Sequence, residues 1–312
     1  MKHNIKITAI LLLMFIITQF IGLYVVNYYA PKKIVSADGV ITEIPAPKLP
    51  YGLESPTVED ESQYNSLFLG VVMAFIFAIL IFILLTKFKV QFILKLWFFV
   101  VVTIALSISF LSFLNPLSYA LLISGVLAVA LAAVKIYGRN FFVHNITELL
   151  IYPGIAAVFV PILNVWTIVV LLILISLYDA WAVWHSGIMQ KMAHYQINEL
   201  KLFSGFFVPY MAKGMKAKIA KWKKTLTKAQ LKKKKVKVDV AILGGGDVVF
   251  PIITAGVMLK TLGFTSALLV ILGATLALVY LFFFSEKKKF YPAMPFITVG
   301  IFLGIVASYL FL

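Results

Sequence analysis

Residues 242–250 read Ile-Leu-Gly-Gly-Gly-Asp-Val-Val-Phe, three glycines and one carboxylate inside an apolar segment. An aspartate near the centre of a membrane helix costs about 2.5 to 3.5 kcal/mol on insertion scales, and such residues are by default functional-site hypotheses. A second carboxylate has a similar setting in residues 177–180, Leu-Tyr-Asp-Ala. We interpret Asp179 and Asp247 as a functional pair that the rest of the chain holds together in lipid.

The composition of the chain indicates a membrane protein. Of its 312 residues, 62% are hydrophobic and 13% are charged, with a mean hydropathy of +1.02. A soluble domain is about 45–50% apolar and about 25% charged. We therefore predict an all-α polytopic membrane protein, since a helix satisfies its own backbone hydrogen bonds in lipid. The sequence contains no cysteine, which excludes disulfides, thiolate metal sites and a cysteine nucleophile.

Nine apolar runs approach the ~20 residues that cross the ~30 Å hydrocarbon core of a bilayer. They predict transmembrane helices near residues 7–26, 66–85, 96–114, 117–134, 149–163, 165–184, 240–259, 264–284 and 292–312. The first run could also be a cleaved signal peptide. It is long for one and precedes no small-x-small cleavage site, so we predict a retained span. The fifth run is short and needs residues from 141–147 to cross.

These spans divide the chain into three regions. Residues 1–184 hold helices one to six with an extracytoplasmic loop at 27–65, residues 185–239 form a lysine-rich cytoplasmic loop, and residues 240–312 hold helices seven to nine. The 27–65 loop carries five prolines and six acids. The prolines argue against a helix there, so we predict extended chain.

The distribution of positive charge predicts the orientation. Alternating sides across nine spans places 24 of the 28 Lys and Arg residues on one side, fourteen of them in the 185–239 loop. Cytoplasmic loops carry the excess of basic residues in membrane proteins. We therefore predict a multi-pass protein of the cell membrane, with a cytoplasmic N-terminus and an extracytoplasmic C-terminus.

The basic loop has a lipid explanation for its charge. Its first part, 185–211, has apolar spacing suited to a short helix or hairpin on the membrane surface, and 213–237 is dominated by lysine. We expect the lysines to bind anionic lipid headgroups or to form a solvated linker, and we expect no nucleic acid as a partner. His185 and His194 lie nine residues apart with no third ligand at helical spacing, so we expect no metal and no cofactor.

Only two of the twelve acidic residues lie inside predicted spans. Six lie in the 27–65 loop. Two others lie in cytoplasmic connections and two at span entrances, where a polar cap is ordinary: Glu199 and Glu286, then Glu148 and Asp239. Asp179 lies five residues before the cytoplasmic end of its span, and Asp247 lies seven residues after the start of its own. At ~1.5 Å per residue, these positions are roughly 8 and 10 Å deep from the same face.

Two carboxyl groups in one low-dielectric site share a proton, because like charges at close range do not both ionise. The ionised member can take a proton from water while the protonated member donates one to a carbonyl. Together they hydrolyse a peptide bond without a metal or a covalent intermediate. We assign neither Asp179 nor Asp247 a fixed role, because the two titrate as a unit. Gly244, Gly245 and Gly246 leave room for another backbone and for water beside Asp247.

Three short motifs carry a family resemblance. They are Tyr178-Asp179 in one span, Gly244-Gly245-Gly246-Asp247 in the next, and Pro292-Ala293-Met294-Pro295 at the start of the last. They resemble the YD, GxGD and PAL motifs of the presenilin/signal peptide peptidase family of intramembrane aspartyl proteases. Met294 stands where the family has leucine, a swap of similar volume. The proline after Met294 and the predicted cytoplasmic N-terminus are more similar to presenilin, and the compact chain resembles a microbial, we expect archaeal, homologue.

The resemblance implies an aspartic endopeptidase that cuts single-span membrane proteins within their transmembrane segments, with Asp179 and Asp247 as its catalytic residues. It also implies contacts to the unwound substrate from Tyr178, Gly244, Gly245, Gly246, Pro292, Ala293, Met294 and Pro295. The PAL-like segment would help engage the substrate, with strand addition to a free sheet edge as one mode. Whether the chain forms a homo-oligomer or needs accessory subunits is left open.

Two other classes of function use the same residues. Paired intramembrane carboxylates also serve proton- or cation-coupled transporters and leak channels. Transporters often carry internal repeats and bind near the midplane. The two halves of this sequence show no convincing repeat, and the acids lie near one face. The third alternative is a scaffold or membrane chaperone in which the pair is structural.

Overall fold

The computed structural model confirms the all-α membrane fold. It describes residues 5–35, 41–54, 58, 60–87, 91–138, 140–186, 202, 204–210, 239–285 and 291–311. Within these ranges, nine helices are long and apolar enough to cross a membrane. Their bounds are α1 Ile5–Tyr28, α2 Glu61–Lys87, α3 Gln91–Leu114, α4 Ala120–Tyr137, α5 Phe141–Phe159, α6 Val165–Trp181, α7 Gly245–Leu262, α8 Phe264–Phe284 and α9 Met294–Phe311.

Asparagine side chains cap the helices on either side of the α5–α6 connection. Asn140 accepts hydrogen bonds from the backbone N–H groups of Phe142 and Val143 at the start of α5. Asn164 accepts from the Thr167 N–H at the start of α6, and the Thr167 hydroxyl accepts from the Asn164 N–H in return. Such caps satisfy N–H groups that have no partner within the helix. The Asn140 cap explains why α5 begins at Phe141, early enough to complete the short fifth span.

Helix α7, which carries Asp247, lies at the centre of the bundle. It packs against α1, α5, α6, α8 and α9, and it is the most buried of the spans. Helix α2 is the least buried and contacts its neighbours sparsely. The central helix is therefore surrounded by protein, whereas α2 presents most of its surface to lipid.

Small residues let α8 and α9 approach closely. A Cβ atom at Gly300 would collide with the Gly273 carbonyl, and one at Gly304 would meet the Leu269 carbonyl at 2.6 Å. Glycines at such positions allow helix backbones to contact each other directly, which is a common basis of helix association in lipid. The middle of α9 is thereby held close to α8.

Two short antiparallel sheets accompany the helices, and one of them corrects the predicted start of the seventh span. In the loop predicted as extended chain, β1 (Lys32–Val35) pairs with β2 (Ile41–Ile44). Strand β3 (Gly205–Tyr210) pairs with β4 (Asp239–Gly244), in register from Gly205↔Gly244 to Tyr210↔Asp239. The predicted start of the seventh helix near residue 240 is therefore wrong, because residues 239–244 pair with β3 and α7 begins at Gly245.

The division into residues 1–184, 185–239 and 240–312 stays a prediction, as does the cytoplasmic placement of the N-terminus. Most of the lysine-rich loop, including His194 and the lysines of 213–237, lies outside the described residues.

Candidate active site

Asp179 and Asp247 lie on neighbouring helices that pack against each other. Asp179 occupies the last turn of α6, and Asp247 occupies the first turn of α7, which packs against α6. Asp179 is only 6% exposed and Asp247 is half-buried. Their helices thus bring both acids to one part of the interior, with Asp247 the more accessible of the two.

The PAL-like segment contacts Asp179 through its backbone. The Met294 N–H donates to Asp179 Oδ2 at 3.0 Å, and the Ala293 N–H also faces this carboxylate. About one turn further along each helix, the Ser176 hydroxyl of α6 and the Thr298 hydroxyl of α9 lie 2.7 Å apart. The first N–H groups of a helix have no partner within it, so a carboxylate is well placed to accept from them. Pro292 is buried beside this contact, and Pro295 lies half-buried in the first turn of α9.

The three glycines before Asp247 have different surroundings. A Cβ at Gly244 would stand 3.0 Å from Asp247 Oδ2, and the Gly244 N–H lies in hydrogen-bonding range of the same carboxylate. A Cβ at Gly245 would meet the Tyr152 hydroxyl at 2.8 Å. Gly246 is exposed, and a Cβ there would make only ordinary contact with Phe250. The first two glycines allow close packing, while the third leaves open space beside the carboxylate.

The start of α7 is locally irregular around Asp247. Pro251 lacks the N–H that would bond the Asp247 carbonyl one turn earlier. The side chain of Gln19, fully buried on α1, donates from Nε2 to the Val248 carbonyl at 3.1 Å. A polar side chain from another helix commonly compensates a disrupted turn in a membrane span. Gln19 was missed from the sequence, although a glutamine inside the apolar first span was a signal for it.

Tyr178 lies beside the candidate site on the exposed side of α6. It is 42% exposed, and its ring centroid lies 6.4 Å from that of Trp181. Immediately after α6, residues Ala182–Ser186 form a turn of π-helix. Such turns often occur at functional sites. The substrate-binding role of Tyr178 stays a prediction.

A buried charged cluster lies on α4 and α5 next to the site. Lys135 Nζ donates to Glu148 Oε1 at 2.6 Å and contacts His144 Nδ1 at 3.2 Å, and all three residues are less than 9% exposed. The prediction that Glu148 is an ordinary cap is therefore wrong, because it pairs with a lysine from another helix inside the bundle. His144 and Glu148 are four residues apart on one helix face, which was a signal for the cluster.

The same face of α5 binds the backbone of β3. His144 Nε2 donates to the Gly205 carbonyl at 2.8 Å, and the Gly205 N–H points to Glu148 Oε1 at 3.4 Å. The Asn145 amide makes two bonds with Phe207, from Nδ2 to its carbonyl at 2.9 Å and to Oδ1 from its N–H at 3.1 Å. Side chains of α5 thus bond one edge of β3 as a neighbouring strand would.

The described residues contain no group of three or more His, Cys, Asp or Glu side chains that could hold a metal ion. The candidate site therefore consists of two carboxyl groups, backbone N–H donors and glycines.

Comparison with known proteins adds three findings. Residues 48–312 match the family model described as signal-peptide peptidase, presenilin aspartyl protease. A solved presenilin family intramembrane aspartate protease in space group C222 aligns with a TM-score of 0.61 at 18% identity, over 98% of this chain and 99% of its own. One in space group P2 aligns with a TM-score of 0.58 at 20% identity, over 97% of each chain. No curated protein matches the sequence significantly.

Proposed function

Because this chain belongs to the signal-peptide peptidase and presenilin aspartyl protease family, we propose that it is an aspartic endopeptidase that cleaves transmembrane segments of single-span membrane proteins. Asp179 and Asp247 activate the attacking water. The observation that carries the proposal is the position of these two carboxyl groups, in the last turn of α6 and the first turn of α7, two helices that pack together in an apolar bundle. Unpaired ionisable groups are costly at such positions, and a shared catalytic site accounts for both.

The reaction follows from one proton shared by two carboxyl groups. The ionised carboxylate removes a proton from water, whose oxygen bonds to the scissile carbonyl carbon. The protonated partner donates to the carbonyl oxygen. As the tetrahedral intermediate collapses, the C–N bond breaks and the carboxyl group that took the proton from water donates it to the leaving nitrogen. A hydroxyl group of the intermediate returns its proton to the other carboxylate, which restores the starting state of the pair. The Met294 N–H bond to Asp179 and the nearby Gly244 N–H at Asp247 hold the two carboxylates in orientation.

The β3–β4 pair offers one edge to an extended substrate. The backbone N–H and C=O groups of Gly205 and Phe207 face α5. Because these groups alternate in direction along a strand, those of Phe206 and Val208 face β4. The outer edge of β3 is therefore occupied, and its next outward position is Pro209, which has no N–H. On β4, the register points the backbone N–H and C=O groups of Val240 and Ile242 away from β3. We propose that unwound substrate adds to this edge, which leads directly to Gly244 and Asp247.

Replacing Ile242 by proline is expected to impair substrate binding at this edge. Proline removes an N–H that points away from β3, so the β3–β4 ladder keeps its own bonds. We expect kcat/KM for a single-span substrate to fall by about tenfold, because main-chain hydrogen bonds carry affinity in strand addition. Ile242→Ala is the matched control, since it removes the side chain and keeps the N–H. Equal activity of the two variants would contradict the proposed edge.

Cleavage by the purified protein in liposomes tests the proposed function. A single-span substrate would be incubated with the wild-type protein, and the masses of the products would place the cut. Products cut within the transmembrane segment support the proposal. Proton or cation flux through liposomes that contain wild-type protein, unaffected by an aspartyl protease inhibitor and without any cleavage, would instead support the transporter or channel alternative.

A further inference from the structure

The polar face of α5 is larger than the proposed reaction requires. Four polar side chains lie on this face, and each contacts β3: His144, Asn145, Glu148 and Tyr152. None of these four residues belongs to the pair of aspartates, Asp179 and Asp247. His144, Asn145 and Glu148 bond backbone groups of β3, so their contribution would act through the position of the main chain.

A short chain of contacts joins this face to Asp247. His144 and Glu148 bond the two backbone groups of Gly205, and Gly205 lies directly across the sheet from Gly244. Paired residues in antiparallel strands have Cα atoms about 5 Å apart. The Gly244 N–H in turn faces the Asp247 carboxylate. The anchor on α5 is thus only one strand pair away from the candidate catalytic group.

The three glycines before Asp247 need such an anchor. Gly244, Gly245 and Gly246 have no side chains to hold them, and glycine loses more conformational freedom on ordering than any other residue. Gly205, the anchored residue of β3, has a φ of +143°, which other residues rarely adopt. The two bonds from Asn145 to Phe207 hold the strand at a second point, two residues further along. Two anchors define both the position and the direction of β3.

We propose that Asn145, His144 and Glu148 are positioning residues that hold β3, and through β4 place Asp247 for catalysis. Lys135 supports them in two ways. Its ammonium group balances the charge of Glu148, and it donates a hydrogen bond to His144 Nδ1, so that Nε2 carries the proton donated to the Gly205 carbonyl. This inference rests on the proposed function, because it assigns these residues to the same site. It predicts that losing the anchor slows the chemical step in a protein that still folds.

Asn145→Ala is the test variant and Asn164→Ala is the matched control. Both asparagines bond local backbone, but Asn164 caps the far end of α6, fifteen residues or about 22 Å along the helix from Asp179. Asn145→Asp is a second variant that keeps the side-chain shape and the bond from the Phe207 N–H. It lacks the donor to the Phe207 carbonyl, and it covers the case in which Asn145→Ala does not fold.

Two readouts separate positioning from simple stability. We expect Asn145→Ala to lower kcat per folded enzyme by about tenfold at saturating substrate, with Asn145→Asp between it and wild type. We also expect the Ala241 and Leu243 amides, which face β3, to exchange hydrogen about tenfold faster in Asn145→Ala. Asn164→Ala should lower only the melting temperature.

The inference is overturned if Asn145→Ala keeps wild-type kcat and wild-type exchange in β4, with only a lowered melting temperature like that of Asn164→Ala. If the wild-type protein cleaves no substrate, the proposed function fails and the catalytic part of the inference fails with it, and the exchange comparison then decides only whether the α5 side chains anchor the strand pair. Unchanged exchange at Ala241 and Leu243 would then refute the anchor, and faster exchange confined to β4 would support it.

Discussion

Replacing either Asp179 or Asp247 by asparagine is expected to reduce the cleavage rate by at least about 10³-fold, because each carboxyl group is needed as acid or base in every turnover. Asparagine keeps the volume of the side chain, and at position 179 its carbonyl can still accept from the Met294 N–H. We therefore expect both variants to fold with melting temperatures close to that of the wild-type protein. The measurement is product formation from a single-span substrate in liposomes.

The double variant and a surface control sharpen this prediction. Residues that act as one unit show strongly non-additive effects, so the double asparagine variant should be about as slow as either single variant. Glu61→Gln, an exposed acid in the first turn of α2, should cleave at the wild-type rate. A single Asp179 or Asp247 variant that kept a substantial part of the wild-type rate would remove that residue from the proposed reaction.

Replacing Glu148 by alanine is expected to cost about 3–5 kcal/mol of stability, because removing one partner of a buried ion pair leaves the other charge without compensation. The side chains of Lys135 and Glu148 are 2% and 1% exposed, and their charged atoms are 2.6 Å apart. The substitution also removes the acceptor of the hydrogen bond from the Gly205 N–H. Equilibrium or thermal unfolding in detergent would measure the change.

The double variant Lys135→Met with Glu148→Gln tests the cause of this loss. Methionine fills much of the lysine volume without its charge, and glutamine keeps an oxygen for the Gly205 N–H. Replacing both members of a buried pair is often close to neutral. We expect the double variant to recover most of the stability that Glu148→Ala loses. If the double variant were no more stable than Glu148→Ala, burial of an unpaired charge would not be the explanation.

The membrane architecture was predictable because lipid imposes strong rules on sequence. A span needs a long apolar run, so nine helices and the positions of Asp179 and Asp247 near span ends followed from local composition. The structure confirms the nine spans within the described residues, and the family match confirms the resemblance that rested on three short motifs. Asp179 and Asp247 as catalytic residues, and the substrate contacts assigned to the PAL-like segment, remain proposals.

The elements that surround the pair depend on contacts that local pattern does not contain. Strand β4 lies at the edge of an apolar run whose local composition favours helix, because 28 residues separate it from its partner β3. The apolar spacing of residues 185–211 is compatible with a helix or a hairpin, and its residues Gly205–Tyr210 form one strand of a pair whose other strand follows the basic loop. The position of Glu148 near a span entrance favours a cap in the sequence, because its pairing with Lys135 becomes visible only when α4 and α5 pack together.

The central claim is that Asp179 and Asp247 act as one unit that holds a single proton, and the pH dependence of kcat tests it most directly. We predict a bell-shaped profile for cleavage of a single-span substrate in liposomes. The rate should fall at low pH because both carboxyl groups become protonated and no base is left, and at high pH because the pair loses its shared proton and no acid is left. A profile with a single step, across the pH range in which the protein stays folded, would contradict the shared-proton mechanism.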